Sequence, residues 1–350
     1  MAYISFQPND YFNTKLYTGN NSSSNAITGV GFQPDWVWLK ARNYGESHRV
    51  YDVVRGVANY VTPNSTGVES NSIPLTSFDS DGFTIGSSDG SVNGNYNYVS
   101  WNWKASGSPS SNSDGDLTSS VSVNTTAGIS IGTYTSDITG VGSKTVGHGL
   151  GKTPKFIITK NRNQAGQRWG VQAPGLLTDN YILELNSTAA QSNMSGNGSL
   201  TTVSSTVFSV NYADGVRNAN GSGNYIFYAF AEISGFSKFG RYVGNGNADG
   251  QFIYTGFKPA WLMLKQTGTQ GWFLVDNKRP SHFNPIDGSL HPNSSAVEDT
   301  SSDFFVDFLA NGFKLRDSDA QLNGNGNDYI YAAFAAEPLV SSNNIPATAR

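Results

Sequence analysis

Gly31-Phe-Gln-Pro-Asp-Trp-Val-Trp-Leu-Lys40 is the stretch on which the fold turns, because it comes back twice, as Gly151-Lys-Thr-Pro-Lys-Phe-Ile-Ile-Thr-Lys160 and Gly256-Phe-Lys-Pro-Ala-Trp-Leu-Met-Leu-Lys265. Each copy is Gly-x-x-Pro, five mainly apolar residues, then Lys. Three further words accompany it in a constant order. An opening word precedes it, in Lys15-Leu-Tyr-Thr-Gly-Asn20, Ile131-Gly-Thr-Tyr-Thr-Ser136 and Phe239-Gly-Arg-Tyr-Val-Gly-Asn245. A third word follows, in Asp81-Gly-Phe-Thr-Ile-Gly86, Thr206-Val-Phe-Ser-Val210 and Asn311-Gly-Phe-Lys-Leu-Arg316. A closing word ends each unit, in Asn97-Tyr-Val-Ser-Trp-Asn-Trp-Lys104, Asn224-Tyr-Ile-Phe-Tyr-Ala-Phe-Ala231 and Asp328-Tyr-Ile-Tyr-Ala-Ala-Phe-Ala335. Similarity at a fixed period is the signature of repeated structural units. The expected boundaries are 1–107, 108–233 and 234–350.

Within a unit the signal is strand. Trp36-Val-Trp-Leu39, Phe156-Ile-Ile-Thr159 and Tyr329-Ile-Tyr-Ala-Ala-Phe334 are short, aromatic or β-branched, and bounded by Gly, Pro, Asn or Asp. No long window carries a helical apolar stripe free of Gly and Pro. The reading is all-β, as three tandem antiparallel β-sandwich domains of jelly-roll or lectin-like type. Alternating aromatics, Trp101 with Trp103 and Tyr228 with Phe230, are expected to fill the space between the two sheets of each sandwich. Ser106-Gly-Ser-Pro-Ser-Ser-Asn-Ser-Asp-Gly-Asp116 reads as a flexible linker. Glu232-Ile-Ser-Gly-Phe-Ser-Lys-Phe239 is a shorter junction whose two Phe should pack. Whether the units extend as beads or close around an axis stays open.

Composition narrows the function. Of 350 residues only 14% are charged, against about 25% in an ordinary domain. With 26 acidic and 22 basic side chains the net charge is −4, and no basic block offers a surface for nucleic acid. There is no Cys, which removes disulfide frameworks and thiolate chemistry. Apolar runs are far shorter than the roughly 20 residues of a membrane-spanning helix, and the N-terminal residues show no secretory pattern.

Repetition also tests candidate sites, since a structural residue should recur and a catalytic one should stand apart. Asp52 with Arg55 and Asp276 with Arg279 recur at the same spacing and read as structural pairs, with Gln172 and Gly175 in their place in the second unit. The shared Lys40, Lys160 and Lys265 read as snorkelling or paired cations. The four His, at 48, 148, 282 and 291, occupy no common repeat position and no metal-binding interval, so no metal or other cofactor is expected. Phosphate loops and nucleophile elbows are missing, and with 6 Glu no catalytic carboxylate pair is signalled. No catalytic residue is assigned. Asn/Gly-rich loops precede each closing strand and read as tight hairpins. Sugar recognition there would use Asn95, Asn325, Tyr96 and Tyr225, while Trp169 and Trp272, at the start of their strands, are the candidate exposed stacking residues.

Longer strings point to a family. Tyr11-Phe-Asn-Thr-Lys-Leu-Tyr-Thr-Gly19, Ile27-Thr-Gly-Val-Gly-Phe-Gln-Pro-Asp35, Ser120-Val-Ser-Val-Asn-Thr-Thr-Ala-Gly128, Val146-Gly-His-Gly-Leu-Gly-Lys-Thr-Pro-Lys155, Gly235-Phe-Ser-Lys-Phe-Gly240 and Ala347-Thr-Ala-Arg350 resemble virion proteins of tailed bacteriophages of marine and aquatic bacteria. That family looks like concanavalin- or SPRY-like β-sandwich modules, tail- or fibre-associated. The resemblance implies a non-enzymatic structural protein on the virion surface, in several copies or as a homo-oligomer. Its partners would be other virion proteins and host surface polysaccharide, with no membrane insertion. Fibre proteins usually carry an N-terminal anchoring domain, whereas here the first unit begins almost at once, so attachment is expected through residues 1–13 or a sandwich face. The rival readings are a capsid decoration or tail component without ligand, and a polysaccharide depolymerase.

Overall fold

The computed structural model describes residues 6–212, 223–279, 284–301 and 305–337. These residues are all-β, with antiparallel sheets and two short 3-10 turns, Pro8–Asp10 and Ser195–Asn197. Three of the four words, with the segment that follows the Gly-x-x-Pro word, become the same four adjacent strands in each repeat, and the remaining word enters a smaller sheet. In the first, the order across the sheet is Phe12–Thr18, Asn97–Trp103, Trp36–Ala41, Arg49–Asp52; in the second, Ile129–Thr135, Asn224–Phe230, Phe156–Asn161, Trp169–Gln172; in the third, Ser237–Val243, Asp328–Phe334, Trp261–Gln266, Trp272–Asp276. Register is conserved as well: Trp36 pairs Trp103, Phe156 pairs Phe230 and Trp261 pairs Phe334.

Each of these main sheets shares a core with a smaller sheet of its own repeat. The small sheets are Asn25–Thr28, Gly82–Ile85 and Leu75–Asp79; Ser143–Gly147 and Val207–Asn211; and Phe252–Tyr254, Gly312–Leu315 and Val306–Leu309. Val37, Leu39 and Tyr51 face the first of them, Ile157, Tyr225 and Phe227 the second, Leu262, Leu264 and Phe273 the third. Since side chains alternate along a strand, the intervening residues point the other way. There Trp36, Trp38, Trp101 and Trp103 meet Phe156, Ile158, Tyr228 and Phe230, and both sets meet Trp261, Met263 and Phe334, in one shared core. Trp36 stacks on Tyr228 with ring centroids 4.6 Å apart, Trp103 lies edge-on to Trp261 at 5.5 Å, and Phe230 meets Phe334 at 5.6 Å.

The alternating aromatics therefore do not fill the space between the sheets of one sandwich, as their pattern suggested. They bind repeat to repeat. Both faces of each main sheet are buried, so every residue of Trp36–Ala41 and of Trp261–Gln266 is inaccessible. An aromatic of this size gains several kcal/mol from burial, about 25 cal/mol per Å2 of apolar surface, and a dozen of them make beads on a string untenable.

The contacts between repeats run head to tail in a ring. Glu69 N–H donates to Arg162 O (2.8 Å), Gln191 N–H to Thr267 O (2.8 Å) and Glu298 N–H to Arg42 O (2.7 Å). At a second level, Trp169 Nε1 donates to Thr62 O (3.0 Å) and Trp272 Nε1 to Glu184 O (2.8 Å). His48 takes the corresponding place in the first repeat: Trp38 Nε1 donates to its Nδ1 (2.9 Å), leaving Nε2 to donate to His291 O (3.0 Å).

The segment read as a flexible linker is ordered. Ser110–Asn112 forms the edge strand of the second repeat's sheet beside Ser119–Asn124, and Asp116 accepts from Thr145 N–H at 2.9 Å. Serine-rich composition marks a linker only where nothing satisfies the backbone, and here a neighbouring strand does. The shorter junction packs as expected, with Phe236 and Phe239 in the shared core.

Candidate functional site

The residues with the most distinctive chemistry sit at the seams between repeats. Between the first and second, Asp52 accepts from its own Arg55 Nε (2.7 Å) and from Tyr228 O–H of the next repeat (2.8 Å). Arg55 continues to Glu69 (3.2 Å), and Glu69 is gripped by both Nε and Nη2 of Arg162 (2.9 and 2.8 Å). The third repeat reproduces this against the first. Asp276 accepts from Arg279 Nε (2.6 Å) and from Trp101 Nε1 (2.8 Å), Arg279 reaches Glu298 (2.7 Å), and Glu298 binds Arg42 (2.7 Å). Asp52, Arg55, Asp276 and Arg279 have wholly buried side chains. Burial pulls the Arg55 guanidinium down, but Asp52, Tyr228 and Glu69 together hold it above its ordinary value.

The seam between the second and third repeats lacks all of this. Trp36 lies opposite Asp52 and Trp261 opposite Asp276. In the second repeat Ile157 pairs Gln172, so the next position, facing Phe156, is Ala173. Gln172 is thus one place out of register with the aspartates; it points into its own repeat and donates to Ser209 O (3.2 Å). The structural counterparts are Ala173 for Asp, Leu176 for Arg, Gln191 for Glu, Thr267 for the partner Arg and Ala332 for the Tyr or Trp donor, which corrects the sequence alignment on Gln172 and Gly175.

The recurring lysines are not snorkelling. Each is buried, and its Nζ donates to backbone carbonyls at the strand end or in the following loop: Lys40 to Ala41 O (2.7 Å), Lys160 to Gln167 O (2.6 Å), Lys265 to Gly268 O (2.6 Å). Burial lowers all three to about 8. The Asn/Gly loops have a structural reason too. Buried Asn93 holds Asn20 Oδ1 (2.9 Å), Ser22 O (2.8 Å) and Ser87 O (3.1 Å), and Asn323 repeats the clamp on Asn245 Oδ1 (2.8 Å), Asn247 O (2.8 Å) and Asp317 O (3.0 Å). Residues 218–222 of the corresponding second loop, and His282, lie outside the described residues.

Of the sequence-predicted ligand residues, Trp169, Trp272 and Tyr225 are buried, at 1%, 1% and 0% exposure. Their amphipathic position at a strand start suggested surface; the strand end is where the next repeat docks. All seven Trp are core. Asn95 and Asn325 are exposed loop residues, on different repeats and not brought together. Tyr96 is half-buried and stacks flat on Tyr44, with centroids 4.0 Å apart and planes 5° from parallel. Tyr44 is 41% exposed and was not singled out by sequence. Its signal was its departure from the repeat, since Gln164 follows the corresponding Arg-Asn of the second unit. The hydrogen bond that Tyr96 donates to Tyr44, with burial a smaller contribution, raises Tyr96 above the usual phenol value.

The second repeat also bears an open groove of about 240 Å3, lined by Lys155, Asp179, Asn180, Tyr181 and Thr201 among others. Among the described residues no group of three His, Asp or Glu is placed to hold a metal ion, and no helix is long and apolar enough to cross a membrane.

No curated protein and no solved structure matches the chain. A single family profile spans residues 7–338, from the first opening strand past the last closing strand, and so treats the three repeats as one unit. By that match the chain belongs to the family described as Domain of unknown function (DUF7483).

Proposed function

We propose that the protein is a non-enzymatic structural component of a tailed-bacteriophage virion surface, tail- or fibre-associated, made of three tandem β-sandwich modules at 1–107, 108–233 and 234–350 that are locked into one rigid body. The phage assignment rests on the sequence strings quoted above. The structural role rests on one observation: the buried carboxylates, guanidinia and indoles that could have formed a reactive centre are bonded across the seams instead. The groove of the second repeat supports the same reading, because its lining carries one carboxylate, Asp179, where glycoside hydrolysis takes two. A body with both faces of its main sheets buried has little freedom to deform, which suits display of loops at fixed positions on a particle.

The test is to locate the chain on intact particles by cryo-electron microscopy, fitting this ring into density. The reading requires density that accepts all three repeats at a tail or fibre position. Particles lacking the chain would overturn it, and a fall in the viscosity of host capsule on incubation with purified protein would overturn its non-enzymatic part.

A further inference from the structure

We infer that the Tyr44–Tyr96 stack is a saccharide platform, taking one neutral hexopyranose unit of a polysaccharide on the open face of Tyr44. The inference rests on the display reading and deepens it by naming what is displayed. The stack is built, and it belongs to the first repeat. Tyr96 lies on Gly94, where a Cβ would stand 2.8 Å from its ring, so no other residue admits the ring there. In the third repeat the groups against the matching Gly324 are the Asn327 amide and the Tyr329 hydroxyl, and no ring face lies on it. The loop is fixed by Tyr96 N–H to Gly94 O (2.7 Å) and by Asn97 N–H to Asn43 Oδ1 (2.8 Å). Tyr44 therefore rests on a support that is itself held, which lowers the entropy lost when something binds to it.

The surroundings select the ligand. Gly90 leaves a notch beside the stack: a Cβ built there lies 3.6 Å from each tyrosine ring and 4.0 Å from Glu46 Oε1. A hexopyranose has an apolar C–H face that packs on an aromatic ring, with hydroxyls at its rim that need acceptors and donors. Glu46 offers the acceptor at the notch, and exposed Asn95, next to Tyr96, offers an amide with both. Charged groups nearby are Glu46, Asp89, the buried Lys40 and Arg42, which is bound to Glu298. The one partly exposed cation of this set is thus neutralised by a carboxylate, so an anionic sugar is disfavoured and a neutral one is not.

The experiment is affinity electrophoresis of the full chain in native gels containing dextran, laminarin or galactomannan. At least one polymer should retard the protein, and free monosaccharide of the same type should release it. Tyr44→Ala, an exposed change, should weaken binding at least tenfold, while Tyr44→Phe keeps the ring face and should bind within about threefold of the parent. Tyr254→Ala, which removes the exposed tyrosine of the third repeat, should leave retardation unchanged. Migration unaffected by all three polymers, or Tyr44→Ala binding like the parent, overturns the platform. Binding by a chain that is not found on particles would sink the display reading alone; a particle-borne chain that no polymer retards would sink the platform alone.

Discussion

Two seams of this ring bury an ionic network and, among the described residues, the third buries a neutral set in its place, although the same strands meet at all three. The first-to-second and third-to-first seams each bury an Asp–Arg pair, extend it through a Glu to an Arg of the adjoining repeat, and cap the Asp with a Tyr or Trp donor. The second-to-third seam replaces five members at once, with Ala173, Leu176, Gln191, Thr267 and Ala332. The substitutions are concerted because a partial network is worse than none: one missing partner leaves a charge in a low-dielectric interior, whereas replacing every member by apolar or neutral groups removes the desolvation cost together with the attraction. What survives at all three seams is the backbone bond from residue 69, 191 or 298 to the next repeat and the aromatic core behind it.

The most damaging way to break the comparison is to remove one acid. Asp52→Ala strands Arg55 without its close carboxylate and Tyr228 without its acceptor, and should cost about 3–5 kcal/mol in urea unfolding. The set Asp52→Ala, Arg55→Leu, Glu69→Gln, Arg162→Thr and Tyr228→Ala imports the neutral solution, and should cost less than the single change. A fivefold variant as unstable as Asp52→Ala would show that the neutral seam depends on something other than its residue set.

A smaller effect separates the two ionic seams from each other. His48 and His291 both sit where the third repeat meets the first, and burial holds each below its ordinary value, with His48 pressed further by Lys40, His291 and Arg49. Below about pH 6.5 the unfolded chain takes up protons that the folded one refuses, so stability is full above that pH and falls as pH drops through it, by at most about 1.4 kcal/mol per unit for each group. His148, also lowered by burial, adds to the slope from within the second repeat. Urea midpoints at pH 7.5 and 5.5 should differ in that direction, and His48→Gln should reduce the difference. A slope unchanged in His48→Gln would show that this ring is not among the groups responsible.

The repeats themselves were legible in the sequence, because four words in constant order need only string comparison, and a strand falls on each word. What could not be read was which way the strands face. Trp36-Val-Trp-Leu39 is apolar at every position, so alternation exists but carries no label for the two sides; both are buried, and the Trp side belongs to the neighbours. The one-place error on Gln172 has the same origin. Spacing along the chain suggested it for the Asp position, but strand register sets position, and Ala173 is too plain a residue to announce itself. Trp169 and Trp272 were misplaced because a docking surface made by another part of the chain leaves no local trace. Tyr44 was missed for the opposite reason: its meaning lies in a stack with Tyr96, fifty-two positions later.

The smallest effect concerns what all three repeats share. Lys40, Lys160 and Lys265 occupy one repeat position, beside ionic and neutral seams alike, and burial lowers each to about 8. In the unfolded chain a lysine keeps its proton to about pH 10.4. Between pH 8 and 10 the unfolded state therefore binds more protons than the folded one, and stability should rise with pH across that window. Above pH 10 the sign reverses, because Tyr17, Tyr134 and Tyr242, raised by burial, hold protons that unfolded tyrosines release. Urea midpoints measured each half unit from pH 7.5 to 11 should pass through a maximum near pH 10. Lys160→Met and Lys265→Met should each flatten the rise by roughly one third, one as much as the other, since the lysine follows the repeat and not the seam. Unequal flattening would mean that the local environments differ, and a flat profile between pH 8 and 9.5 would mean that the carbonyls around Nζ solvate the ammonium well enough to offset its burial.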